Sequence, residues 1–272
     1  AYFSGPVNIP KGKIIGFKWR VLKQLGKGGC GAVYLVEDID HPELRAALKA
    51  ESNYVAGGAV LKMEVEMMQK LAGKEHTAQL LQSGKRDAYS YMVMSLLGES
   101  LATLLKRFNH NVSVSTQVRI GIHVLHGLKQ IHDIGFIHRD IKPANLAIGF
   151  RGTPDERVIN ILDFGLSRQY IIEDSLSIIK TVYIILSFSS GTTRYCSMAT
   201  HDRLEQGRCD DLWSLLYVLV ECRSRLPWAH LWDKSEVAEK KKRTDDVELL
   251  KNCPVQMLEF CTHIRYLMIH LK

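Results

Sequence analysis

Apolar and polar positions alternate along the first third of this chain, then recur every three or four residues through the remainder. Trp19–Leu25, Ala32–Val36 and Ala46–Glu51 read as strands, and two more are expected near Ala78–Gln82 and Tyr89–Met94. Between them, Leu61, Val65, Met68 and Leu71 or Ala72 make an apolar stripe along a helix at about Val60–Ala72. Glu64 falls on that stripe, whereas Glu66 points away. Past Ser95–Gly98 the period lengthens. Helices are predicted near Leu101–Phe108 and Thr116–Ile134, the second with Val118, Ile122, Leu125 and Ile131 on one face. A strand is expected at Val158–Leu162, a buried central helix in the nearly all-apolar stretch Asp210–Val220, and a last helix near Val255–His263. Residues 1–13, with Gly5, Pro6, Pro10 and Gly12, look like a loose lead-in. The pattern as a whole predicts an α+β domain over 14–272. It has a strand-rich lobe at about 14–94, a hinge at about 95–98 and a helical lobe at about 99–272.

The candidate chemistry lies in the connections. Gly26, Gly28 and Gly31 form a GxGxxG between two strands. A Rossmann phosphate loop requires a helix after the glycines, and the run Ala32–Val36 argues against one, so a hairpin lying over phosphates fits better. A glutamate on a buried helix face needs a cation, and Lys49 on the third strand is the candidate. Phe136–Asn145 (FIHRDIKPAN) offers the carboxylate Asp140, the cation Lys142 two residues on and the amide Asn145 three beyond that. Pro143 keeps this backbone out of a regular helix. Asp163 closes the apolar run Ile161–Leu162 ahead of Phe164-Gly165. One carboxylate for a substrate hydroxyl, with an Asn and a second Asp to hold metal, suits phosphoryl transfer. Asp211 either caps its helix or holds the backbone around Asp140.

Composition narrows the partners. The net charge of +7 suits an acidic or phosphorylated partner. The run Lys240–Arg243 reads most simply as a solvated helix face. Six scattered cysteines without a CxxC pair point to a reducing compartment and away from a zinc site. His123 and His126 stand at helical spacing, but no third metal ligand is near in sequence, so they read as ordinary helix residues. No signal peptide opens the chain and no apolar run is long enough for a membrane span, which leads us to expect an intracellular, soluble protein. Nucleic-acid binding is not expected, as helix-turn-helix, RRM and zinc signatures are missing.

Four passages resemble eukaryotic protein kinases, and within them the casein kinase 1 family and its tau-tubulin kinase branch. They are Leu25–Tyr34 (LGKGGCGAVY), Phe136–Gly149 (FIHRDIKPANLAIG), Leu162–Tyr170 (LDFGLSRQY) and Gly191–Trp228. In the last, GTTRYCS stands where most kinases have a segment ending in Ala-Pro-Glu. The resemblance implies a bilobal kinase fold, ATP and Mg2+ as cofactors, and transfer to Ser/Thr of acidic or phospho-primed proteins. It would make the protein a monomeric enzyme of the cytoplasm and also the nucleus. Gly26, Gly28 and Gly31 would cover the phosphates, with Val33, Ala47, Met94, Ser95 and Leu97 around the adenine. Lys49 would contact the α- and β-phosphates and pair with Glu64. Asp140 would orient or deprotonate the hydroxyl, Lys142 would neutralise the transferring group, and Asn145 with Asp163 would hold magnesium. Arg194 and nearby cations would form an anion-binding patch.

Two departures from the family pattern leave a catalytically inactive kinase-like scaffold as the alternative. The run Thr181–Phe188 is uncharged, β-prone and free of proline, unlike a solvated activation segment. It is expected either to pack on the large lobe or to be sequence that does not belong to the translated chain. The chain also stops before the family's last helix, which suggests a truncated C-terminus.

Overall fold

The computed structural model describes residues 7–27, 31–54, 60–173, 179–181 and 193–270. The first lobe is one antiparallel sheet of six strands in the order β1-β2-β3-β4-β6-β5. These are β1 (Ile14–Ile15), β2 (Trp19–Lys27), β3 (Gly31–Asp38), β4 (Arg45–Ser52), β5 (Leu80–Lys85) and β6 (Tyr89–Ser95), with helix α1 (Val60–Lys70) inserted after β4. Successive side chains on a strand face opposite ways, and the central strands use both faces. Ala32, Tyr34 and Val36 of β3 and Ala46, Leu48 and Ala50 of β4 join Trp19, Val21, Tyr91 and Val93 in an outer apolar layer. The intervening residues Val33, Leu35, Ala47 and Lys49 line the inner face, where Val33 lies opposite Lys49 and Ala47 opposite Met94. The lead-in is not loose from Val7 onward. Ile9 is buried in the outer layer, its N–H donates to the Tyr34 hydroxyl at 3.0 Å, and that hydroxyl donates to the Val7 carbonyl at 2.7 Å.

The second lobe begins with α2 (Leu101–Arg107) and α3 (Val114–Asp133), capped by Ser100 and Ser113. Short strands β7 (Phe136–Ile137), β8 (Leu146–Ile148), β9 (Ile159–Ile161) and β10 (Arg168–Gln169) follow, pairing as β8 with β9 and β7 with β10. A hairpin of β11 (Ile171–Glu173) and β12 (Ile179–Thr181) comes next, then α4 (Met198–His201), α5 (Arg208–Glu221), α6 (Lys234–Arg243), α7 (Asp246–Leu250) and α8 (Gln256–His270). As expected, α5 is buried nearly all round. The last helix runs beyond the predicted His263 to His270. The apolar run is described only at Thr181, in β12; residues 182–188 lie outside the described residues.

Helix α3 corrects the predicted face. Val118, Ile122 and Leu125 are exposed, while Gln117, Ile120, Val124, Gly127, Leu128 and Ile131 are buried. Both faces carry aliphatic residues, so periodicity could not separate them. The inner one is marked by small residues that let neighbours approach. A Cβ on Gly121 would stand 3.2 Å from Leu219, and one on Gly127 would stand 2.8 Å from the Ile161 side chain and 3.0 Å from the His76 carbonyl. Gln117 donates its amide there to the Leu219 carbonyl at 2.9 Å, while its buried Oε1 has no partner among the described residues.

Candidate active site

The stripe on α1 buries Leu61, Met68 and Leu71, and with them Glu64. Its carboxylate meets Lys49 from the inner sheet face, Nζ to Oε2 being 2.7 Å, and its other oxygen accepts the Phe164 N–H at 3.1 Å. Lys49 also reaches Asp163 Oδ1 at 3.2 Å and Glu51 at 3.7 Å. Carboxylates from β4, α1 and the segment after β9 thus converge on one ammonium. Burial alone would draw the Lys49 pKa down. The carboxylates of Glu64, Asp163 and Glu51 outweigh it and hold the amine charged, above its ordinary value. Burial pushes Glu64 up against the pull of Lys49. For Asp163 burial is again opposed by Lys49, and here the cation prevails and the carboxyl lies below its usual range.

The second half of the site is a tight local turn. Pro143–Asn145 form one turn of 3-10 helix, as the proline predicts. Asp140 is buried, and its Oδ2 accepts from Lys142 Nζ at 2.6 Å and from Asn145 Nδ2 at 3.0 Å; the same amide donates to the Asp140 carbonyl at 3.0 Å. The turn is tied to the first half by the Leu162 N–H, which donates to the Asn145 carbonyl at 3.0 Å. Arg139 (φ 70°) and Asp163 (φ 65°) both hold left-handed backbone, uncommon for residues with a side chain and concentrated at functional sites.

What holds that conformation is Asp211. Its Oδ1 accepts the Arg139 N–H at 2.7 Å, and its Oδ2 accepts the His138 N–H at 2.8 Å and stands 2.8 Å from His132 Nε2. Of the two roles open to Asp211, the structure selects the backbone anchor. The cap of α5 is made by its neighbour Asp210, whose Oδ2 accepts the Gly207 N–H at 2.6 Å. Burial would raise the Asp211 pKa, but His132 and the surrounding donors bring it below the usual carboxylate value.

The glycine hairpin divides in function. A Cβ on Gly31 would stand 2.3 Å from the Ala50 carbonyl oxygen, so sheet packing alone excludes a side chain there, whereas nothing lies within 4 Å of one on Gly26. Gly28 lies outside the described residues. At the hinge, Ser95 is occupied: its N–H donates to Gln79 O at 2.9 Å and its hydroxyl accepts from Gln79 N at 3.0 Å. The Gly98 N–H is used by Ile148 O at 2.8 Å. Among the described residues no backbone hydrogen bond is made by the Leu97 peptide group.

Arg194 donates Nη2 to the Ala229 carbonyl at 2.9 Å, its Nη1 lies 4.0 Å from buried Glu221, and its side chain is partly exposed. One cation departs from its sequence reading. Lys241, expected in solvent, is buried. It donates to Thr193 O at 2.8 Å and Cys196 O at 2.7 Å and lies over the rings of Tyr217 and Trp228. Burial draws its pKa down to about 8. The cationic feature that sequence reading missed is Arg139, whose buried Nε has no partner among the described residues and whose pKa is lowered by burial and then by the charge of Arg168.

A curled sheet set over a helical lobe through a short hinge is the protein kinase fold, and comparison with known proteins agrees. The protein kinase domain matches residues 19–265, and the chain belongs to the protein kinase family. Its relatives are serine/threonine kinases. A Caenorhabditis elegans protein named as a serine/threonine-protein kinase is 48% identical over 261 residues, covering 96% of this chain and 75% of that one. A Dictyostelium discoideum protein named as a serine/threonine-protein kinase is 33% identical over 264 residues, covering 96% of this chain and 52% of that one. Casein kinase I homolog 3 of Schizosaccharomyces pombe is 32% identical over 262 residues, covering 93% and 58%.

Proposed function

We propose that this chain transfers the γ-phosphate of ATP to Ser/Thr hydroxyls of acidic or already phosphorylated proteins, as a casein kinase 1-type enzyme of the tau-tubulin kinase branch. It acts as a monomer in the cytoplasm and the nucleus. The observation that carries this reading is the meeting of Lys49, Glu64 and Asp163, joined through the Leu162–Asn145 backbone bond to the Asp140–Lys142–Asn145 turn.

The donor set suits magnesium. Asn145 spends its amide nitrogen on Asp140, and among the described residues its Oδ1 has no partner; Asp163 has one oxygen on Lys49 and the other unbonded. When bound, Mg2+ supplies charge neutralisation at the phosphate oxygens. Lys49, kept charged and aimed by Glu64, holds the α- and β-phosphates. Val33, Ala47, Met94 and the hinge residues Ser95 and Leu97 would hold the adenine. Asp140 accepts the proton of the attacking hydroxyl as its oxygen bonds to phosphorus and ADP departs. Lys142, 2.6 Å from Asp140, stabilises the charge on the transferring group. The preference for acidic or primed substrates is supported by two cations beside this turn, Arg139 and Arg168, whose charges act on each other.

No observation favours the scaffold alternative. The test is phosphate transfer to casein, and to matched neutral, acidic and phosphorylated peptides, by the protein and by Asp163→Asn. The wild type alone should transfer, with kcat/KM about tenfold higher for the charged peptides, and Arg168→Gln should remove that margin. Equal activity of wild type and Asp163→Asn would overturn the mechanism, and equal kcat/KM for all peptides would overturn the substrate class.

A further inference from the structure

The helical pair His123 and His126 has no further ligand near in sequence, but the fold brings Glu75 and His76 up to His126. The segment that leads into β5 crosses α3 at Gly127, where a Cβ would stand 3.0 Å from the His76 carbonyl oxygen. It is fastened there: the Ile161 N–H donates to His76 O at 2.9 Å, the Ala78 N–H donates to Ile161 O at 3.1 Å, and Gln130 Nε2 donates to Glu75 O at 2.7 Å. This sets the His76 ring 4.7 Å from that of His123 and 5.1 Å from that of His126. One donor atom from each of Glu75, His76 and His126 lies within 4.8 Å of the other two.

We propose that Glu75, His76 and His126 form a binding site for a zinc-class divalent ion, separate from the phosphotransfer cleft, that clasps the segment before β5 to α3. Two imidazoles and a carboxylate are a donor set for Zn2+ rather than Mg2+. Tetrahedral donors around zinc stand ~3.3 Å apart, so the site closes by small rotations of Glu75 and His126, both exposed and free to turn. His76 is already oriented. With its Nδ1 3.1 Å from the Ile159 carbonyl, Nδ1–H donates and Nε2 keeps its lone pair, the outer hydrogen bond typical of a metal-bound histidine. His123 is not a ligand, because its Nδ1 accepts the Ile159 N–H at 3.1 Å and Nε2 then carries the proton; it packs against His76 and steadies it. The fourth position is left to water.

The probe is Co2+ with Zn2+ competition, followed by visible absorption on the intact chain in excess Mg2+, which keeps the phosphotransfer residues occupied. We expect one saturable tetrahedral Co2+ spectrum, displaced by Zn2+, and an upward shift in melting temperature with Zn2+. His126→Ala and Glu75→Gln, both at exposed positions that should fold normally, should weaken binding by more than about a hundredfold, beyond the 10–100-fold typical of losing an outer partner. Asp163→Asn should bind Co2+ as well as wild type. A missing spectrum, one that survives His126→Ala in folded protein, or one lost in Asp163→Asn would each overturn the proposal. None of these readouts depends on kinase activity.

Discussion

Replacing Asp211 with asparagine separates two roles that a carboxylate at a helix start can play. Asp211 is buried and receives three donors, from the backbone of His138 and Arg139 and from His132. An amide keeps one oxygen and turns an NH2 toward whichever donors the other oxygen served, so one or two charge-assisted bonds vanish and the rest weaken. At about 1.5–3 kcal/mol per hydrogen bond to a charged group, the loss should be about 3–5 kcal/mol. Domain stability is only about 5–15 kcal/mol, so the variant should be studied by urea denaturation at low temperature. Because Asp140 follows Arg139 directly, a displacement of about 1 Å there should also lower kcat by about a hundredfold. The wild-type advantage should be constant from pH 7 to 5. A carboxylate whose folded pKa is depressed gives stability above its unfolded value and loses it as pH falls toward the folded one, so the advantage should shrink below about pH 4. A loss near 1 kcal/mol with kcat intact is what a simple cap would give, and it would refute the anchor.

Lys49→Met should lower phosphotransfer by about a hundredfold or more and also destabilise the fold by about 3–5 kcal/mol, because Glu64 is left buried without its cation; equal melting curves would contradict the buried pair. Gly31→Ala should cost about 1–3 kcal/mol by driving a methyl into the Ala50 carbonyl, while Gly26→Ala should change stability by less than about 0.5 kcal/mol, both read from urea midpoints. Lys241 has a lowered folded pKa, so the unfolded chain binds the extra proton, and stability should rise with pH between about 8 and 10.5 relative to Lys241→Met, by up to about 3 kcal/mol. A flat difference across that window would show that the amine titrates normally.

The parts of this molecule that sequence reveals are those in which a local pattern carries its own physical demand. Glu64 on an apolar stripe requires a cation, and Lys49 is that cation. Pro143 keeps the backbone out of a regular helix, and a single 3-10 turn forms. Other features depend on partners far along the chain. The choice between two aliphatic faces of α3 is made by Leu219 and Ile161, and the burial of Lys241 by carbonyls at Thr193 and Cys196 and rings at Tyr217 and Trp228. Whether Asp210 or Asp211 anchors the turn is decided by which carboxylate faces His138, a matter of helix rotation that composition does not encode.

Strand β4 places Leu48 in the outer apolar layer and Lys49 in the cleft, one residue apart. Coding changes in this strand should therefore be tolerated very differently by kind. A single codon gained or lost between Ala46 and Leu48 would turn the ammonium into the hydrophobic layer and a leucine toward the phosphates. Two codons would restore the facing but move the ammonium along the strand by about 6.6 Å, out of reach of Glu64. Conservative exchanges such as Leu48→Ile leave that parity untouched, so the strand should vary in spelling while its length stays fixed.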